Sequence, residues 1–394
     1  MDKDKTVSGI RRYDFIDALR GWAILGVILV HVGQKVPHLP GWLSNITNNG
    51  QYGVQLFFVI SAFTLLASLS SRSAAEPRPI LNYFIRRIFR IAPMFWAAML
   101  FYVCFRNIGW SGPPPTIDLS QIAATFFFIH GWSIYSINSV VPGDWTIAAE
   151  MTFYIILPAL FKYITSLRRA IILVFTSLVA SKIIWSLTKT ILMSVYHNKY
   201  SSWINGLIED FRYCWFPNQF MIFALGFILY FVTKDALASR ASEERGPAAS
   251  RNDIVTAGLL IAVSLWMCVS GLNWQVRLIP VHFLFGMAFV LLAWGLSLWQ
   301  APLFVNPVTR YIGKISYSLY LTHFFAINIA ALTCSAKMKM IVSNSPVAHA
   351  LLLFIVSLAL SAAMSTITFY LIEQPGQLLG KKIINSINKK YRKK

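Results

Sequence analysis

The chain has 394 residues, of which 56% are hydrophobic and only 13% charged. With a mean hydropathy of +0.58, a soluble globule of this length would lack the charge to cover its surface, so lipid is the expected solvent for most of it. A net charge of +20 would suit nucleic acid, but Lys and Arg gathered in cytoplasmic loops account for it, and no nucleic-acid partner is expected.

Apolar windows of spanning length fall at 14–34, 50–70, 84–105, 146–166, 170–192, 214–232, 254–271, 278–298, 314–335 and 347–372. They predict an all-α fold, a polytopic transmembrane bundle of about ten helices. The first window, "IDALRGWAILGVILVH", carries Arg20 and His31 inside its apolar run and is followed by no small-residue cleavage site, so it is expected to stay as a helix rather than be removed as a signal peptide. A weaker run, "IAATFFFIH" at 122–130, is bounded by Pro113, Pro114, Pro115 and Gly131. If 119–131 is re-entrant or interfacial and the N-terminus cytoplasmic, most of the 35 Lys and Arg residues fall on the inner side with both termini. A full crossing there would spoil that bias.

One charged cytoplasmic linker is expected at 233–253, "TKDALASRASEERGPAASRND". In "IEQPGQ", Pro375 is expected to close the last helix, leaving one transmembrane domain over 1–380 and a basic cytoplasmic tail, 381–394, suited to anionic lipid. Cys104, Cys214, Cys268 and Cys334 lie far apart with no metal-ligand spacing and read as packing residues; no metal is expected.

The polar residues within the apolar windows carry the functional signal. A helix turns about 100° per residue, so Arg20 and His31, eleven positions apart, lie within about 20° of each other and about 16 Å apart along the axis. Asp17, one turn before Arg20, extends this stripe toward the cytoplasm. An ionised side chain at membrane depth costs about 2.5–3.5 kcal/mol on insertion scales, so it faces a cavity or a partner. In "YFIRRIFRIAPMFW", Arg86, Arg87 and Arg90 open a helix, and Arg87 and Arg90 share a face. They read either as positive-inside anchors or, with Arg20, as a bidentate clamp for phosphate. Glu150 lies within "PGDWTIAAEMTFYIILP", with Asp144 ahead of it as a structural N-cap. Glu150 has no basic residue nearby in sequence, so its partner must come from another helix; a carboxylate beside an imidazole fixes its tautomer, and a purely structural role is the alternative. In "GKISYSLYLTHFF", Ser316, Tyr320 and His323 share a helix face and read as hydrogen-bonding partners inside the bundle. Lys182 and His282 are weaker leads. No P-loop, zinc motif or nucleophilic Ser or Cys elbow occurs, which leaves general-base chemistry and the binding of a phosphorylated donor.

Five blocks in order over nearly the whole chain resemble acyltransferase family 3, bacterial inner-membrane O-acyltransferases. They are "FIDALRGWAILGVILVH" with its Arg-x10-His spacing, "GVQLFFVISAFTLL", "RRIFRIAPMFW" with Arg87 and Arg90, "WTIAAEMTFYIILP", and "ISYSLYLTH". Ala18, Gln55, Ala62, Ala92 and Thr322 depart from the family's usual residues. The resemblance implies a multi-pass inner-membrane enzyme with both termini cytoplasmic and no permanently bound cofactor. Acetyl-CoA, or another acyl-CoA, is the implied donor, its phosphates on Arg20, Arg87 and Arg90. His31 is the implied general base, oriented by Glu150, with Asp17, Tyr320 and His323 in support; a transient acyl-His31 is the variant. The implied acceptor is a hydroxyl of a surface polysaccharide such as O-antigen, with peptidoglycan, a lipid-linked glycan or a small exported molecule as alternatives. Some relatives carry a fused periplasmic hydrolase-like domain, which this chain is expected to lack. The competing reading is a secondary transporter, for which buried Arg, Glu and His are also natural.

Overall fold

The computed structural model describes residues 13–105, 117–196, 202–242, 251–270, 279–342 and 345–392, and among these it contains helices and no strand. The helices are α1 (Asp14–Gly33), α2 (Gly41–Asn49), α3 (Gly53–Ser73), α4 (Pro79–Cys104), α5 (Leu119–Phe126), α6 (Trp145–Tyr163), α7 (Leu167–Val195), α8 (Ser202–Cys214), α9 (Phe216–Ser242), α10 (Arg251–Ser270), α11 (Val281–Leu298), α12 (Pro307–Lys314), α13 (Ser316–Val342), α14 (Pro346–Thr368) and α15 (Gln374–Arg392). Among the described residues, eight helical stretches are long and apolar enough to cross a membrane, and a ninth is reached if α12 and α13, bent by 81°, count as one span. The predicted window at 146–166 became α6, which is not among these stretches. The protein is a multi-pass membrane protein.

Burial separates the centre from the lipid face. Of the apolar window of α1, 67% is buried, against 17% for α10. Along α7 the exposed residues Ile172, Phe175, Val179, Ile183, Leu187 and Ile191 recur every three or four positions, a stripe turned away from the bundle.

Small residues let the backbones around α1 touch, as is usual where lipid supplies no hydrophobic drive between helices. A Cβ on Gly21 would lie 2.2 Å from the Thr309 carbonyl oxygen, and one on Gly313 only 1.7 Å from the Asp17 carbonyl oxygen. α12 is therefore seated across the first turns of α1. Its own start is set by a capping box between Asn306 and Thr309, with Pro307 in the first turn.

The 119–131 segment, expected not to cross, holds the eight-residue α5, started by a capping box between Asp118 and Gln121, and runs into a 3-10 turn at His130–Trp132. Eight residues reach about 12 Å, far short of a crossing. Other expectations are revised. Asp144 precedes α6 but makes no cap hydrogen bond. Its buried carboxylate instead accepts from the Asn138 and Val141 N–H groups at 2.8 and 3.4 Å, closing the 138–144 turn. The expected linker is partly helical, since α9 runs to Ser242 and α10 begins at Arg251; 243–250 lie outside the described residues. Pro375 does not close the last helix. The chain makes a π-helical turn, Phe369–Glu373, and continues as α15, so the expected boundary at 380 falls inside a helix. Proline has no N–H to give the carbonyl four residues back, and the wider turn just before it accommodates that loss. Cys104, Cys214 and Cys268 are free thiols; the Cys334 side chain lies outside those described.

Gly313→Ala is expected to force α12 from α1 and destabilise the protein by about 1–3 kcal/mol or more. Thermal unfolding in detergent checks this; an unchanged melting temperature would contradict the backbone contact.

Candidate active site

α1 carries two polar stations. At its cytoplasm-predicted end, the Arg20 Nη1 lies 3.1 Å from Asp17 Oδ1, and Nη2 donates to Thr64 Oγ1 at 3.3 Å. In its last turn, half-buried His31 places Nδ1 3.0 Å from Gln34 Oε1. An amide oxygen only accepts, so Nδ1 carries the hydrogen and Nε2 keeps its lone pair.

A cavity opens beside the first station. Arg20 from α1, Arg87 and Arg90 from α4, and Glu150 and Tyr154 from α6 line it, together with Ser61 and Thr64 from α3 and Ser316, Tyr317 and Tyr320 from α13. Five helices thus bring together residues that are up to 300 positions apart. Tyr154 donates to Glu150 Oε2 at 3.1 Å, and Tyr317 to the Ile91 carbonyl at 2.8 Å. The Arg87 Nε is buried without a hydrogen-bond partner. Guanidinium groups have the charge and donor geometry to bind phosphate oxygens bidentately, and three of them border this one space.

Arg86 belongs elsewhere. Its two Nη atoms meet the two oxygens of Glu76 at 2.9 and 3.0 Å, and Arg72 and Asn82 complete the shell of that carboxylate at 2.9 and 2.8 Å. This closed pair joins the α3–α4 turn to α4 and leaves Arg87 and Arg90 to the cavity.

Tyr320 links the two stations. It lines the cavity and donates to the Gly143 carbonyl at 2.9 Å. Gly143 has φ +78°, a left-handed conformation that favours glycine, and a Cβ there would also meet Phe324 and Tyr320 at 3.1 Å. Beyond Tyr320 stands fully buried His323, whose Nδ1 lies 2.6 Å from the Tyr320 carbonyl oxygen. The His323 ring is 5.5 Å from that of Tyr320 and 5.4 Å from that of His31.

The structure therefore places Arg20, Arg87, Arg90, Glu150 and Tyr320 around one cavity, with Asp17 paired to Arg20, and sets His31 and His323 together outside its lining. It does not place Glu150 against His31. Glu150 projects among the arginines, where a carboxylate is matched by charge, and Gln34 holds the imidazole instead. Lys182 and His282 lie away from the cavity lining. Sequence reasoning missed Tyr154, Ser61, Thr64 and above all Glu373, whose Oε1 is 3.9 Å from Arg90 Nη1. The signal was present: after Asp253, Glu373 is the sole acidic residue of the chain.

The profile of the acyltransferase domain family matches residues 13–366. O-acetyltransferase OatA of Staphylococcus aureus (strain NCTC 8325 / PS 47) is 26% identical over 396 residues, covering 95% of this chain and 59% of that protein. A second S. aureus protein (strain COL), provisionally named an O-acetyltransferase, is 26% identical over 352 residues, covering 83% of this chain and 53% of its own length. The chain thus spans little more than half the length of these relatives. No solved structure gives a significant match.

Burial works to raise the Glu76 carboxyl, but hydrogen bonds from Arg86, Arg72 and Asn82 outweigh it and hold the group below the usual carboxylate range. A lowered carboxylate contributes stability above its unfolded value, near about 4.3, and loses it as pH falls through the folded value. Glu76→Gln is therefore expected to lower the melting temperature above about pH 5, with the gap to wild type closing below about pH 4. A gap independent of pH would contradict the ionised cluster.

Proposed function

We propose that this chain, which belongs to the acyltransferase domain family, transfers an acyl group, acetyl by default, from cytoplasmic acyl-CoA to a hydroxyl of a surface polysaccharide such as O-antigen. One observation carries the reading. Three arginines surround a cavity at one end of α1, and His31 stands about 16 Å further along the same helix. The guanidinium groups suit the donor's phosphates, and the intervening distance suits a thin pantetheine arm passing Tyr320. The names of the relatives support acetyl as the group and oxygen as the acceptor atom.

His31 Nε2 takes the proton of the acceptor hydroxyl as its oxygen bonds to the thioester carbonyl carbon. The carbon–sulfur bond breaks, the imidazolium returns the proton to the departing sulfur, and ester and free thiol result. Gln34, accepting from Nδ1–H, fixes the neutral tautomer whose lone pair lies on Nε2. His323 packs behind His31, its own Nδ1 committed to the Tyr320 carbonyl.

The arginine end of the bundle faces the cytoplasm in this reading, across the bacterial inner membrane. Asp14, near the first described residue, pairs with Arg310 at 2.6 Å, and Asn388, near the last, meets Asn82 below the arginines of α4 at 3.2 Å. Both ends of the described chain thus lie on that side.

Membranes containing wild type or His31→Ala, incubated with radiolabelled acetyl-CoA and deacetylated lipopolysaccharide, test the proposal. Wild type is expected to deposit label in alkali-labile ester, and the variant at least about 100-fold less. Equal labelling by the variant would remove the base. No labelling by folded wild type would remove the acceptor, and peptidoglycan would be assayed next.

A further inference from the structure

Two arginines on α4, one turn apart, meet carboxylates in different ways. Arg86 is gripped by both oxygens of Glu76 within hydrogen-bond distance. Arg90 lies 3.9 Å from Glu373, beyond hydrogen-bond distance, although Glu373 is fully buried. The oxygens of Glu373 are held by other donors: Ser318 Oγ donates to Oε2 at 2.7 Å and Gln377 Nε2 to Oε1 at 3.1 Å. Three elements converge there, since Ser318 comes from α13, Gln377 from α15, and Glu373 from the π-helical turn between α14 and α15.

We infer that Glu373 is a restrained counter-charge for Arg90: it offsets the guanidinium yet is kept off its N–H donors, which remain for a phosphate. The inference deepens the proposed function and rests on its phosphorylated donor. Ser318 and Gln377 are the restraint, because without them the carboxylate would close on Arg90 as Glu76 closes on Arg86. The consequence is a tempered grip. Substrate and product carry the same phosphates, so a tighter hold on them would bind both alike and slow release without speeding the chemistry. Glu373 is thus a positioning residue that acts through Arg90.

Two opposing effects set the sign of the test. A carboxylate about 7 Å from a bound phosphate, at an effective dielectric of about 20, weakens binding by about 50-fold. Losing the group that orders one arginine side chain weakens it by about tenfold at most. Relief of repulsion wins, so Glu373→Gln, which keeps the shape of the side chain and one acceptor oxygen, is expected to bind polyphosphate about fivefold tighter. Ser318→Ala frees the carboxylate to close on Arg90 and is expected to bind about fivefold weaker.

The experiment measures dissociation constants of inorganic pyrophosphate and of coenzyme A for the full chain in detergent, for wild type and both variants, by calorimetry at fixed salt. Opposite shifts with both ligands support the inference and the donor reading together. Opposite shifts with pyrophosphate alone, coenzyme A failing to bind, support the counter-charge and overturn the acyl-CoA donor. Weakening in both variants would make Glu373 a plain structural brace, and unchanged constants or no binding to any form would equally overturn the inference. Should Glu373→Gln fail to fold, the Ser318→Ala shift decides: weaker binding supports the counter-charge, and equal or tighter binding overturns it.

Discussion

Keeping three guanidinium groups inside an apolar bundle is the constraint around which this molecule is arranged. Each would cost about 2.5–3.5 kcal/mol at membrane depth if it faced lipid. The helices answer with carboxylates at graded distances: Asp17 touches Arg20, Glu373 stands off Arg90, and Glu150 shares the cavity with all three. Phenols and hydroxyls fill the remaining wall. The result is a polar chamber in which three guanidinium groups and their counter-charges share one space.

Where that chamber sits follows from backbone contact rather than from the charges. Gly21 and Gly313 let α1 and α12 meet with no side chain between them, which fixes the height of Asp17 and Arg20 against α13. On the other side, Gly376 and Gly380 of α15 lie against Pro93 and Phe89 of α4, where an added Cβ would come within 2.7 Å of each. The helix bearing Glu373 is thereby locked to the helix bearing Arg90. Removing side chains at these crossings is what allows the charged ones to be aimed.

The second station depends on a different device. The turn before α6 is closed by the Asp144 carboxylate and by His130, whose Nε2 lies 3.1 Å from the Asp144 carbonyl oxygen. Tyr320 then bonds to Gly143 in that turn. One wall of the cavity and the packing behind His31 are therefore set by the loop between α5 and α6. Loops that present functional groups on a rigid scaffold are common; here the loop braces a helix that presents them.

The sequence by itself determined the solvent, the helical class, most of the spans, and the stripe of Asp17, Arg20 and His31, because hydropathy and the 3.6-residue period are local properties. It also singled out Arg87, Arg90 and Glu150 through the cost of burying charge. Tertiary structure alone decided which charges meet. Helix rotation and crossing place Glu150 among arginines rather than beside His31, hand that imidazole to Gln34, divert Arg86 to Glu76, and bring Glu373, more than 280 residues later in the chain, within reach of Arg90. Such pairings are set by the angles and depths at which helices pack, and those depend on side chains distributed over the whole chain rather than on any window of it.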